Sequence, residues 1–168
     1  MDSKIIAVRL RAFVGGLCLL SFSSQHALSQ MPRPEDREVM SGSCIATSHT
    51  AEGRLGSDLT KRQSRYFCDT AAITFFPDAP NHIMISFAER RSHSKVILAF
   101  AGWLDADGIM VRVDRAYFDS GVATPVDDSG CKFFFSGKKL IGIFCMAKAD
   151  QEERRRVAII GFDLKPPR

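Results

Sequence analysis

The sequence contains no apolar run long enough to cross a membrane. The longest run, Ala12–Phe22, has eleven residues and would span about 16 Å as a helix, against about 30 Å for the hydrocarbon core of a bilayer. It follows the basic residues Lys4, Arg9 and Arg11 and precedes a polar stretch of small residues. That layout is typical of a cleavable secretory signal. We therefore expect an exported protein, periplasmic or extracellular, without a stable membrane span after cleavage.

The small residues Ala27 and Ser29 place the expected cut after Ser29, which leaves 139 residues, enough for one domain. The residues that follow mix prolines with charged side chains and show no periodicity, a pattern typical of an extended leader. The predicted organisation is a signal peptide over residues 1–29, a disordered leader over 30–40, a single β domain over 41–164 and a tail over 165–168.

Closely spaced cysteine pairs are absent. After the signal, which contains Cys18, four cysteines are separated by 24, 63 and 14 positions. A structural zinc site needs pairs such as Cys-x-x-Cys, so this spacing argues against zinc. In an oxidising compartment the four are expected to form two disulfides, which the sequence allows to connect in three ways. The four are Cys44, Cys68, Cys131 and Cys145.

One hairpin favours a particular connection. A three-residue loop, Gly137 to Lys139, brings Cys131 opposite Cys145, whereas a two-residue loop would place them on opposite faces. We therefore predict a Cys131–Cys145 disulfide and, by elimination, a Cys44–Cys68 disulfide. The same register predicts three further pairs, which are Phe133–Ile143 and Phe135–Ile141 on the cysteine face and Phe134–Gly142 on the other.

Signatures of catalysis and of metal binding are also missing. There is no Gly-x-Ser-x-Gly nucleophile turn, and oxidised cysteines cannot act as thiolates. His49, His82 and His93 lack the i, i+2 or i, i+4 spacing that puts two ligands on one face. The sequence therefore predicts no metal, no cofactor and no enzyme. A glycosidase pair of carboxylates from distant parts of the chain is left open.

Carboxylates concentrate in predicted turns. Asp105-Ala106-Asp107-Gly108 supplies only the first fragment of a calcium loop, because no glutamate follows before Glu152. Asp127 and Asp128 precede the turn-forming pair Ser129-Gly130. Turn formation accounts for all four aspartates, since their side chains bond to nearby backbone N–H groups.

The net charge is low, and its two signs are mixed. It is +4 for the whole chain, and it falls by two once the signal is removed. Nucleic-acid-binding domains carry a clustered basic face, so nucleic acid is not an expected partner. The basic runs Arg90-Arg91, Lys138-Lys139 and Arg154-Arg155-Arg156 are interpreted as solvated turns.

No segment shows a helical apolar stripe; from Ser41 onward, short apolar or alternating runs are separated by turn-forming residues. Short connections favour antiparallel pairing, because parallel crossovers need a dozen or more residues. The predicted fold is an all-β antiparallel meander of about eight strands, a small barrel or sandwich stapled by two disulfides. The predicted strands cover residues 43–48, 65–76, 82–88, 95–104, 109–118, 131–136, 139–148 and 156–164.

Two function hypotheses follow. The bulky hairpin face favours a filled core and a non-catalytic binding or inhibitor-like module that acts on an envelope or extracellular protein. The alternative is a carrier barrel that holds a small apolar ligand. Two predicted loops, Thr50–Ser64 and Asp119–Gly130, are long enough to bind a partner. Trp103 adjoins a turn, although Leu98 and Phe100 nearby favour a core position for it. The candidate rim residues are Trp103, Asp105, Asp107, Asp127 and Asp128.

Overall fold

The computed structural model describes residues 37–88, 96–118 and 121–165. In these ranges the only helical element is a 3₁₀ turn at Thr60–Arg62, and no helix is long and apolar enough to span a membrane. The predicted all-β class is confirmed. The strands are β1 (Arg37–Cys44), β2 (His49–Arg54), β3 (Gln63–Arg65), β4 (Thr70–Phe76), β5 (Ala79–Ala88), β6 (Val96–Leu104), β7 (Met110–Phe118), β8 (Val122–Pro125), β9 (Asp127–Ser136), β10 (Lys139–Gln151) and β11 (Arg154–Leu164).

Eight of the described strands form a closed ring. Their order is β1-β4-β5-β6-β7-β9-β10-β11, and β11 pairs again with β1 through Phe162 opposite Cys44. Neighbouring strands in the ring are antiparallel. Beyond the end of β1, β2 pairs with β11 and β3, and β8 lies beside β7 directly before β9. The ring makes this fold a small barrel.

Every second side chain along a strand points into the barrel, and large apolar side chains at these positions fill its interior. In β7, Val111 and Val113 are buried, whereas Met110 before them and Arg112 between them point outward and are exposed. Burying one large apolar side chain stabilises the fold by roughly 1.5–3 kcal/mol. The four largest interior side chains, each at most 1% exposed, are Phe87, Phe100, Phe133 and Phe162.

Both predicted disulfides are present. Cys131 on β9 is joined to Cys145 on β10, with their Cα atoms 4.0 Å apart. Cys44 at the end of β1 is joined to Cys68, which lies between β3 and β4, with a Cα separation of 5.0 Å. The first disulfide staples a hairpin, and the second ties the β3–β4 connection to the first strand.

The β9–β10 turn differs from the predicted one. Ser136 pairs with Lys139, so the turn has two residues, Gly137 and Lys138, and the predicted three-residue loop is wrong. Gly137 has a φ of 61°, a left-handed conformation that favours glycine in a two-residue hairpin turn.

A bulge at Ile141 restores the predicted register farther along the hairpin. The one-residue shift between Leu140 and Gly142 brings Cys131 opposite Cys145, as the cysteine spacing predicts. Phe135 consequently pairs with Leu140, and the predicted Phe135–Ile141 pair is wrong. Ile141, predicted to face the core, is 44% exposed.

Several strands occupy segments predicted to lack them. Arg37–Met40, assigned to the leader, belongs to β1 and pairs with residues 71–74 of β4. The predicted loop Thr50–Ser64 begins with most of β2, and the predicted loop Asp119–Gly130 contains β8 and the start of β9. Hydrogen bonds to a neighbouring strand stabilise these polar segments, and local composition does not reveal that neighbour.

The predicted first strand ends early, and some predicted segments cannot be compared. β1 stops at Cys44, because the chain turns where the Ser48 N–H donates to the Ile45 carbonyl. The predicted signal, the first part of the leader, His93 and the last three residues of the tail lie outside the described residues.

Antiparallel order places alternate connections at opposite ends of the barrel. At one end, here called the turn end, lie the β4–β5, β6–β7 and β9–β10 turns, around Pro77, Gly108 and Gly137. At the other, here called the mouth end, lie the β2–β3 loop and the β10–β11 turn at Glu152.

Candidate functional site

Trp103 lies on the outer surface of the barrel near the turn end. Its side chain is 44% exposed, so the predicted core position is wrong. The reason is strand alternation: Leu98 and Phe100 on β6 are buried inside, and an odd-numbered residue of the same strand points outward.

The other predicted rim residues occupy two separate places. Asp105 and Asp107 shape the β6–β7 turn next to Trp103: the Asp105 carbonyl accepts from the Gly108 N–H at 2.9 Å, and Asp107 Oδ1 accepts from the Ile109 N–H at 2.9 Å.

Asp127 and Asp128 begin β9, away from the turn end. Asp128 has a φ of 45°, and its Oδ2 lies 3.4 Å from the Lys148 ammonium. The structure therefore brings Trp103 together with Asp105 and Asp107 but not with the second aspartate pair.

Four large exposed apolar side chains form a band across the outer face of four neighbouring strands. They are between 38% and 44% exposed. Trp103 lies opposite Arg112, and Arg112 lies opposite Gly130, which in turn faces Met146. With strands about 4.8 Å apart, the band is roughly 14 Å wide. The four, here called the outer-face patch, are Trp103 (β6), Met110 (β7), Phe134 (β9) and Met146 (β10).

Two cations lie within the outer-face patch. Lys132, which pairs with Met110, holds its ammonium 5.4 Å from the centroid of the Phe134 ring. Arg112, which pairs with Trp103, points outward and is exposed. Aromatic, methionine and arginine side chains are the types enriched where proteins meet, and aromatic and arginine side chains lead among hot spots.

An aromatic cluster holds Trp103 from one side. The His82 ring lies with its centroid 4.8 Å from Trp103 and 5.3 Å from Phe76. His82 Nε2 is also 3.5 Å from Asp114 Oδ2, at the bulge of β7 opposite Ala101 and Gly102. Packing of this kind limits the rotamers of Trp103 and pre-organises the patch.

The described residues contain no cluster of three or more His, Cys, Asp or Glu side chains that could hold a metal ion. The pKa of the Asp58 carboxyl is lowered by hydrogen bonds from Thr60, and the pKa of Asp150 is lowered by its hydrogen bonds from Arg155. Asp58 lies in the β2–β3 connection and Asp150 near the end of β10, and both side chains are at the surface.

Sequence reasoning found only Trp103 among the four residues of the outer-face patch. Phe134 was predicted to point away from the cysteine face, and the structure confirms its place opposite Gly142. Met146 has the opposite parity to Cys145 on the same strand, so alternation would have placed it on the outer face as well. The patch also includes residues of β6 and β7, and the predicted register of the β9–β10 hairpin does not show that these strands lie beside it.

Comparison of the chain with known proteins found no matching family model and no matching curated protein.

Proposed function

We propose that this protein is an exported, non-catalytic binding module that acts on a protein partner through the outer-face patch. The observation that carries the proposal is the band of Trp103, Met110, Phe134 and Met146, exposed on adjacent strands of a barrel whose interior is filled. Several large apolar side chains exposed on neighbouring strands and interspersed with cations have the composition of an interaction surface.

The charges within the outer-face patch point to the chemistry of the partner. Arg112 and Lys132 alternate with the apolar side chains, so a complementary surface has an apolar centre and carboxylates that meet these two cations. We expect the partner to be an envelope or extracellular protein, for example an exported enzyme that the module inhibits.

Two observations support the compartment. Cys44–Cys68 and Cys131–Cys145 are compatible with an oxidising environment. The basic, apolar and small-residue order of the first 29 residues is typical of a secretory signal.

The filled interior favours a protein partner over the alternative of an apolar carrier. A carrier barrel needs small or polar inward residues to leave a cavity. Phe87, Phe100, Phe133 and Phe162 occupy the interior here, each at most 1% exposed. An apolar molecule that co-purifies with the protein and is released only on denaturation would support the carrier instead.

Photo-crosslinking in the producing cells tests the proposal. Benzoylphenylalanine replaces Phe134, or, as the matched control, Phe67, which is also an exposed phenylalanine with a cation over its ring but lies outside the outer-face patch. We expect one partner protein to crosslink from position 134 and not from position 67.

Binding of the purified partner completes the test. Phe134→Ala and Met146→Ala are expected to weaken affinity by about tenfold or more, because central apolar anchors dominate interface energies. Phe67→Ala is expected to leave affinity unchanged. Equal crosslinking from both positions, or an affinity insensitive to Phe134→Ala and Met146→Ala, would contradict the assignment of the surface.

A further inference from the structure

Three arginines lie at the mouth end of the barrel. Two of them belong to the run 154–156, which the sequence predicts to be a solvated turn. β11 enters the ring with Arg154 and Arg156 at inward positions, four and two residues before the fully buried Ala158. Arg62, from the β2–β3 connection, lines the same opening as Arg156. This opening, whose charged residues are Arg62, Arg154, Arg156, Glu52 and Glu152, is here called the mouth.

The floor of the mouth is apolar. Leu98, Phe118 and Ala149 are at most 5% exposed, and they line two adjoining depressions of about 280 and 460 Å³. Arg156 lines both depressions, and its guanidinium carbon lies 5.8 Å from the centroid of the Phe118 ring. An arginine in this position can contact both the apolar and the polar part of a molecule bound in the mouth.

The carboxylates of the mouth are too few to accept hydrogen bonds from all the N–H groups of its arginines. Glu52 forms ion pairs with both Arg154 and Arg156, the second at 3.1 Å between Oε2 and Nε. Each guanidinium carries five N–H donors, and one carboxylate can occupy only part of the ten. With Arg62, three positive charges stand against Glu52 and Glu152, so the mouth keeps a positive surplus.

Arg155, the middle residue of the run, is the least exposed of the three side chains, at 32%. It points outward between its two inward neighbours, and its Nε and Nη2 both donate to the Asp150 carboxylate at 2.7 Å. This pair closes the β10–β11 hairpin on the outer face. Arg154 and Arg156 have the opposite orientation, so hairpin closure does not account for them.

We propose that the mouth binds a small organic anion. Its carboxylate or phosphate group is held by Arg154 and Arg156, whose planar guanidinium groups match such oxygens in pairs. Its short apolar part packs on Leu98 and Phe118. The larger depression, of about 460 Å³, falls within the range of small-molecule sites, which begins at about 300 Å³, and the smaller, of about 280 Å³, lies just below it. The proposal is independent of the protein-binding function of the outer-face patch.

A nuclear magnetic resonance titration of the isotope-labelled, disulfide-bonded protein tests the proposal. The probes are hexanoate, hexyl phosphate, inorganic phosphate and hexanol. We expect saturable shifts of the Ala149 and Arg156 amide signals with hexanoate, hexyl phosphate or both, and the stronger of the two identifies the anionic group. Hexanol and inorganic phosphate, which each lack one half of the ligand, are expected to bind more weakly.

Neighbouring arginines provide matched variants. Arg156→Gln is expected to weaken binding about tenfold or more, since it removes a charge-assisted bond. Arg155→Gln, on the outer face, is expected to leave binding unchanged. If Arg156→Gln does not fold, Arg154→Gln replaces it, because Arg154 is 67% exposed and contributes little packing.

Substitution of Glu52 separates binding from a purely structural ion pair. Glu52→Gln removes the carboxylate that competes for the two arginines, so binding of the probe is expected to tighten. Three results would overturn the proposal: no saturable shift with any probe, an equal loss in Arg155→Gln, or inorganic phosphate binding as tightly as hexyl phosphate, which would mean an adventitious ion only.

Discussion

At the break between β1 and β2, the side chain of Ser48 takes the place of a strand partner. Its hydroxyl donates to the Gly161 carbonyl at 3.0 Å and accepts from the Gly161 N–H at 3.1 Å, and the residue is fully buried. The Ile45 N–H also donates to that carbonyl. The Ser48 hydroxyl therefore supplies the acceptor of the Gly161 N–H and links the chain to β11 beside the β1–β11 contact.

Ser48→Ala is expected to lower the free energy of unfolding by roughly 1–3 kcal/mol, because it leaves the buried Gly161 N–H without an acceptor. Urea denaturation of the oxidised protein measures the loss. Ser57→Ala is the control, since the Ser57 hydroxyl also bonds a backbone carbonyl, that of Arg54, but on the surface, where water replaces it. Similar losses in the two variants would contradict the role assigned to Ser48.

At the residue scale, the alternation of side chains along a strand predicts burial better than the hydrophobicity of residues nearby in the sequence. Trp103 was predicted inside because Leu98 and Phe100 are near, yet its odd position on their strand places it outside with 44% exposure. The burial of Ser48, by contrast, could not be predicted from the sequence around it. Nothing local to a serine before a histidine predicts burial, because its partner Gly161 is 113 positions away.

At the scale of elements, the β9–β10 hairpin is stapled by Cys131–Cys145. A cross-link that closes a loop of about 15 residues restricts the unfolded chain and, in the chain-entropy model, stabilises the fold by roughly 3 kcal/mol. Replacing both cysteines by alanine is expected to cause a loss of that size in urea denaturation without reductant. An unchanged midpoint would show that the hairpin is held by its other contacts alone.

The β10–β11 hairpin carries a pH-dependent pair. Hydrogen bonds from Arg155 lower the pKa of Asp150 in the folded protein. A lowered pKa stabilises the fold above the unfolded pKa of about 3.9, and this contribution is lost as the pH falls through the lower, folded value.

Asp150→Asn is therefore expected to lower the melting temperature near neutral pH, and the difference from the unmodified protein is expected to shrink as the pH falls below about 4. Thermal unfolding followed across that range measures the effect. Arg155→Gln, which removes the same pair from the other side, is expected to behave alike. A difference independent of pH would contradict the pair's contribution.

The pairing of β9 with β10 could be predicted because a disulfide constrains which residues face each other. The spacing of Cys131 and Cys145 correctly predicted their pairing, and the bulge at Ile141 was missed because a two-residue turn plus a bulge gives the same cysteine register as a three-residue loop. β2, β3 and β8 were missed because they are short and polar and depend on strands distant in sequence.

At the scale of the whole molecule, the outer-face patch lies on the outside of the barrel, whereas the mouth opens into its interior at one end. On β6, Leu98 lies on the floor of the mouth, and Trp103 follows five residues later in the outer-face patch. At about 3.3 Å per residue, that separation is roughly 17 Å along a strand whose inner side chains are tightly packed. On β10 the sites come closer, because Met146 and Ala149 are three residues apart, but these two side chains point to opposite faces of the sheet. The sites are therefore expected to act independently.

Trp103, the single tryptophan, reports on this independence. Acrylamide is expected to quench its fluorescence in the native protein, because the side chain is 44% exposed. The bound protein partner is expected to protect it, whereas saturating hexanoate is expected to leave quenching unchanged. Protection by hexanoate would indicate a coupling between the mouth and the outer-face patch that this arrangement does not predict.

The all-β class, the antiparallel meander and both disulfides followed from the sequence, because alternation, turn residues and cysteine spacing act within or between neighbouring segments. Only the tertiary structure decided that the meander closes through β11 and β1, that Trp103 shares an outer face with Phe134 and Met146, and that Arg156 pairs with Glu52. These contacts join residues from separate strands. Their geometry depends on how the ring closes, and ring closure is a property of all eight strands together.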